Sequence, residues 1–213
     1  MPRIKKDDRF LQQRPGEGSE DVKDVIYIVC EGLTEKCYLE CLNSVCNKNI
    51  TIKPTATHTP ANCQGFYDEL NKIFLQITND GFGEKSKFSI FMDIDGRSKF
   101  NTYEKYCKFI SQTLPNSQKI LFLISNPCFE LWKIAESHSK VLSKYKTDIE
   151  NAGSNSASRR KLKKLVENAP KPTPKSLIDA IAALYSLNYL RDISELYNNV
   201  GTNFNSLIKL LIK

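Results

Sequence analysis

The first clear signal along the chain is an apolar run, Val25-Ile26-Tyr27-Ile28-Val29-Cys30, with no polar residue interleaved. Aliphatic, β-branched residues without alternation predict a strand covered on both faces, as in parallel sheets. After Gly32 the period changes: Cys37, Tyr38, Cys41, Leu42 and Val45 recur at helical spacing, with Thr34 placed to cap the start. A short strand follows at about Ile50 to Lys53. Phe66, Leu70, Ile73, Phe74 and Ile77 then predict a second helix, closed by Asn79-Asp80-Gly81. The alternation repeats, with a strand at Phe88 to Met92, a helix marked by Tyr103, Cys107, Ile110 and Leu114, and a strand at Ile120 to Ile124. Asn126-Pro127 suits a capped helix start, because proline in a first turn loses no needed hydrogen bond. Strands alternating with helices imply an α/β layer fold around a parallel sheet.

The ends differ from this middle. Residues 1–21 mix charges with Pro15, Gly16 and Gly18 and read as a flexible lead-in. From about Asn151 the strand runs stop. NAGSNSASRRKLKK reads as a mobile basic loop entering a short helix, and APKPTP breaks structure again. Stripes at Leu177, Ile178, Ile181, Leu184 and Tyr185, then Ile193, Leu196, Tyr197 and Val200, then Leu207, Ile208 and Leu211 are helical. The expected organisation is a lead-in at 1–21, an α/β domain at 22–150, and a basic loop with a small helical appendage at 151–213.

Composition narrows the class. With 213 residues, 40% hydrophobic and 26% charged, the chain can bury a sizeable core and is not a disordered polymer. No apolar run approaches the ~20 residues that span a bilayer, and the polar N-terminus lacks a signal-like apolar core. The seven cysteines form no Cys-x-x-Cys pair, and His58 and His138 complete no zinc pattern. An odd cysteine count fits a reducing compartment, so a cytoplasmic protein with no membrane contact is expected. The net charge of +7 fits a polyanionic partner, although solubility alone also explains it. Distribution is more informative: seven basic residues and one acid, Glu167, stand between Arg159 and Lys175. That clustering makes Arg159, Arg160, Lys161, Lys163 and Lys164 the candidate phosphate-backbone footprint.

The candidate chemistry lies at strand ends. Glu31 directly follows the first buried strand, and Asp93 and Asp95 directly follow a later one. In a parallel sheet all C-terminal ends open on one edge, where active sites form. Carboxylates packed there repel one another unless a divalent cation relieves them. An all-oxygen set suits Mg²⁺ or Mn²⁺, which keeps waters and takes up phosphate oxygens. The natural reaction is then phosphoryl chemistry. Strand-end acids also commonly cap helices or face water, and a lone Asp-x-Asp carries little weight.

VIYIVCEGLTEKCYLE (Val25 to Glu40), FMDIDGR (Phe91 to Arg97) and SNPCFELW (Ser125 to Trp132) together resemble Toprim domains, and in particular the RloB family, over roughly residues 22–138. The resemblance implies a Toprim-like (Rossmann-like) fold and a metal-dependent nuclease acting on DNA or RNA. It makes Glu31 a metal ligand or general base, Asp93 and Asp95 a metal pair, and Glu130 a further acid at the site. It also implies a role in bacterial defence against phage, with an ABC-type or AAA-type ATPase as partner protein. Family members often carry a histidine six residues after that glutamate; Glu136 stands there, so no histidine role transfers. Arg97 occupies the place of the third acid of topoisomerases, which argues against their chemistry.

Two rival readings stand beside this one. An apolar strand followed by Asp-Ile-Asp-Gly also opens haloacid-dehalogenase-like phosphatases, where the first Asp is a nucleophile. Threonine is missing after Gly96, and the motif falls in mid-chain. A nucleic-acid-binding or sensor subunit without catalysis would need only the basic segment and aromatic side chains for stacking.

Overall fold

The computed structural model describes residues 24–45, 47, 49–57, 68–73, 75–76, 86–93, 121–196 and 199–212. The lead-in at 1–21, the helix expected around Tyr103 to Leu114, and Asp95 lie outside these residues.

Among the described residues five strands form one sheet: β1 (Asp24–Cys30), β2 (Ile50–Ala56), β3 (Ser86–Asp93), β4 (Leu121–Asn126) and β5 (Gly201–Thr202), in the order β2-β1-β3-β4-β5. The pairings β1–β2, β1–β3 and β3–β4 are parallel, and β4–β5 is antiparallel. The α/β fold read from the alternation is therefore present. The apolar runs belong to the inner strands: Ile28, Val29 and Cys30 of β1 and Ile90 and Phe91 of β3 are fully buried. β2 is longer than its pattern suggested, continuing through Pro54 to Ala56. It lies at the edge of the sheet, where a residue without an N–H is tolerated.

The helices are α1 (Leu33–Leu42), α2 (Glu130–Ser137), α3 (Lys146–Asn151), α4 (Ser156–Val166), α5 (Pro174–Ser186), α6 (Ile193–Leu196) and α7 (Asn205–Leu211), with a 3-10 turn at Ser139–Tyr145. Residues 68–73 of the expected second helix are helical, with Leu70 buried. No helix is long and apolar enough to cross a membrane among the described residues.

Three local expectations are corrected. Gly32, not Thr34, is the N-cap of α1. Asn126 does not start a helix: it ends β4, is joined to Pro127 by a cis peptide bond, and α2 begins only at Glu130. Its amide is engaged elsewhere, donating to the carbonyls of Leu196 (2.8 Å) and Asn199 (3.0 Å). The basic segment does run into a helix, and the helix takes in all of its basic residues rather than leaving them in the loop. Asn155 accepts from the amides of Ala157 and Ser158 and starts α4, so Arg159 to Lys164 are helical.

The C-terminal third is expected as an appendage, yet it shares the core of the sheet. Phe204 is fully buried between Phe91 (ring centroids 4.9 Å apart) and Trp132 (5.0 Å). Leu162, Leu177, Leu184, Leu207 and Leu211 belong to the same hydrophobic cluster as Ile28 and Leu123. Burial of one such side chain contributes about 1.5–3 kcal/mol, so the segment is held by several of them together. β5 docks through polar contacts as well. The Asn203 amide accepts from Ile124 N–H at 2.6 Å and donates to Phe122 O at 2.7 Å, acting as a strand backbone would. Gly201 lets β5 also pass close to Tyr189, since a Cβ there would lie 2.5 Å from the Tyr189 carbonyl oxygen.

Candidate acidic centre at the sheet edge

From β1 the chain moves outward to β2, then returns to place β3 on the other side of β1. This reversal creates a crevice at the C-terminal ends of β1 and β3, the usual position of ligand sites in open parallel sheets. Glu31 and Asp93 stand at those two ends. They meet directly: the Asp93 amide donates to Glu31 Oε2 at 3.3 Å.

Asp93 ends β3 with only 9% of its surface exposed, and its Oδ1 has no hydrogen-bond partner. Burial pushes its carboxyl well above the ordinary range, and repulsion from Glu35, Glu130 and Glu31 adds to this, against the Phe129 backbone N–H. Glu130 arrives from the first turn of α2 and is 7% exposed. Beside it the buried Cys128 thiol is hydrogen-bonded to Glu130 and raised by burial and by the Glu130 and Asp93 charges.

Glu35 is the residue that sequence reasoning missed. It lies in the first turn of α1, four positions after Glu31. Burial raises its carboxyl, and repulsion from Glu130 adds to the effect, while its own N–H, Lys163 and the Gly32 N–H hold it down. Its carboxylate lies so close to Gly32 that a Cβ there would stand 2.9 Å from Oε2. The available signal was the spacing: an acid at the third helical position after a glycine cap reaches back toward the cap backbone.

Of the five basic candidates, the structure brings two to this centre. Arg159 is partly buried, and its charge acts on Cys128. Lys163, one turn further along α4, acts on Glu35. Lys161 turns away to pair with Asp148, and Arg160 and Lys164 are exposed. Basic charge thus borders the acidic crevice on the α4 side.

Among the described residues, no three His, Cys, Asp or Glu side chains stand close enough together to hold a metal ion. Asp95, the other half of the expected metal pair, is outside them. The donors present are nevertheless carboxylate oxygens, the type a hard divalent cation takes. A buried carboxylate oxygen without a partner, on a residue repelled by the charges of Glu35, Glu130 and Glu31, is a cost that a cation would remove. Asp93 is the natural first ligand, with Glu31 beside it.

No curated protein and no solved structure matches the chain. The family model described as RloB-like protein matches residues 26–211, reaching well beyond the block from 22 to 138 in which the motifs lie. The match includes Glu31, Glu35, Asp93, Glu130, α4 and the strand β5, so this chain belongs to the RloB-like family.

Proposed function

We propose that this protein is a nuclease that cleaves phosphodiester bonds of DNA or RNA with Mg²⁺ or Mn²⁺. The observation that carries the reading is Asp93: buried, with Oδ1 unpartnered, at a sheet switch point where the charges of Glu35, Glu130 and Glu31 act on it. When bound, the cation would polarise a phosphate oxygen and offset charge on the attacking and leaving oxygens. Asp93 would hold it, together with Asp95. Glu31, which accepts the Asp93 amide, would serve as a second ligand or as the base that takes a proton from water. Glu130 and Glu35 complete the negative field. Lys163 and Arg159 would draw the nucleic-acid backbone to the crevice, and the exposed Arg160 and Lys164 would extend that contact. Family resemblance adds anti-phage defence and an ATPase partner protein to the proposal.

A second reading is a binding or sensor subunit without cleavage, favoured by the exposure of Lys163 and Lys164 and by the lack of an assembled ligand group among the described residues. Incubating the purified chain with Mg²⁺ or Mn²⁺ and a panel of plasmid, single-stranded DNA and tRNA separates the two. Metal-dependent cleavage that disappears in Asp93→Asn supports the nuclease. Binding without cleavage under every condition supports the second reading.

A further inference from the structure

Glu136 is a carboxylate that the acidic centre does not use. It lies in α2, six residues beyond Glu130, and is 9% exposed. Its Oε2 accepts the Tyr38 hydroxyl at 2.7 Å, and its Oε1 accepts the Ser176 hydroxyl at 2.9 Å. The Tyr38 oxygen in turn accepts the Trp132 indole N–H at 2.7 Å. Ser176 also accepts the Thr173 amide at the start of α5. The chain of bonds therefore runs from Trp132 through Tyr38 to Glu136 and on to the N-terminus of α5.

Such a group is costly to bury. Among the described residues no cation hydrogen-bonds to Glu136: its donors there are two neutral hydroxyls, and Lys133 acts on it only through space. Burial raises its carboxyl in spite of them. An apolar pair would fill this volume at lower cost. What the bonds supply instead is direction. Apolar side chains tolerate sliding of one helix over another, whereas a short hydroxyl–carboxylate bond fixes position to a few tenths of an ångström.

The position fixed is that of α1 against α2. Tyr38 follows Glu35 by three residues on α1, and Glu136 shares α2 with Glu130. Those two helices present Glu35 and Glu130 to Asp93 from their first turns. We propose that Glu136 is a positioning residue for the acidic centre: through the Tyr38 hydroxyl it locks α1 to α2 and so sets the separation of Glu35 and Glu130. The inference rests on the metal-site reading above. It places the control of cation affinity in a network that touches neither the cation nor the substrate.

The test compares Glu136→Gln, Glu136→Met and Tyr38→Phe in the full chain, by Mn²⁺ calorimetry and by the ¹³C shifts of the Glu35 and Glu130 side-chain carboxyls in metal-free protein. Glutamine keeps an acceptor for Tyr38, and its NH₂ can donate to Ser176, so Mn²⁺ affinity stays within about 3-fold of wild type. Methionine has the length but no acceptor. It weakens Mn²⁺ binding by about 10- to 100-fold, as the loss of outer hydrogen bonds to metal ligands does elsewhere. Tyr38→Phe does the same, and the double variant Tyr38→Phe/Glu136→Met is no worse than either alone. The ¹³C shifts move in Glu136→Met and stay in Glu136→Gln. Wild-type Mn²⁺ affinity in Glu136→Met overturns the proposal, whatever its melting temperature. If the wild-type protein binds no Mn²⁺, the metal reading fails on its own, and the ¹³C shifts judge the positioning role: unmoved shifts in Glu136→Met overturn it too.

Discussion

The backbone amide of Asp93 donates to the carboxylate of Glu31 at 3.3 Å, joining the ends of two adjacent strands across 62 positions of chain. The bond places one acid at the mouth of the crevice and leaves Oδ1 of the other turned inward without a partner. A cation bound there would meet both residues.

Asp93→Asn removes the buried charge that the other carboxylates oppose. Mn²⁺ binding and cleavage should be abolished, while the metal-free protein melts at an equal or higher temperature. Each kcal/mol of relieved repulsion corresponds to about 2–4 °C for a chain of this size. A variant that cleaves near the wild-type rate refutes the assignment of Asp93.

Glu31→Gln separates the nuclease from a haloacid-dehalogenase-like phosphatase. The amide oxygen still accepts the Asp93 N–H, so the fold should persist. Losing the negative charge should slow cleavage by roughly 10²- to 10⁴-fold, the usual range for a catalytic base. Full activity in Glu31→Gln beside a dead Asp93→Asn would mark Asp93 as a nucleophile instead.

The pH dependence of metal-free stability follows from the raised carboxyls of Asp93, Glu35 and Glu136. The folded state binds protons that the unfolded chain has released, so their stabilising effect is complete below about pH 4 and is lost as pH rises through the native values. In chelator, the melting temperature should therefore be higher at pH 5 than at pH 8, and Asp93→Asn should flatten the difference. Saturating Mn²⁺ should restore stability at pH 8. A melting temperature that climbs from pH 5 to pH 8 without metal contradicts the buried-repulsion account.

Neutralising Arg160, Lys163 and Lys164 should weaken nucleic-acid binding and lower the slope of log affinity against log salt by about 1 for each lost phosphate contact. Because the Lys163 charge acts on Glu35, Lys163→Gln should also lower the cleavage rate at saturating substrate, whereas Lys164→Gln should not. Titrations at several salt concentrations with single-turnover assays read both effects; an unchanged slope returns α4 to an ordinary solvated surface.

Gly32→Ala should displace Glu35, because the added Cβ would lie 2.9 Å from its carboxylate. The backbone there is extended, with φ −144°, so alanine itself is not strained. Reduced Mn²⁺ affinity with a nearly unchanged melting temperature is the expected result, and unaltered affinity would show that Glu35 has no part in the site.

The sequence by itself determined the inner strands and the two acids that end them. Val25 to Cys30 is an unbroken apolar run and Phe88 to Met92 is broken only by Ser89, the pattern of strands buried on both faces. Glu31 and Asp93 fall where those runs stop, so topology alone carries them to one edge. The family resemblance added Glu130, but its approach to Asp93 depends on where α2 docks. Tertiary structure decided what has no local period. β5 is two residues long and exists because Asn203 and Thr202 bond to β4. Asn126 looked like a cap until its amide met carbonyls some 70 positions away. Glu35 carried no assignment, and Lys163 was one of five equivalent basic candidates, until α1 and α4 packed beside the crevice. Each of these depends on partners distant in the chain, and a hydrophobic period records which face is buried, not what that face meets.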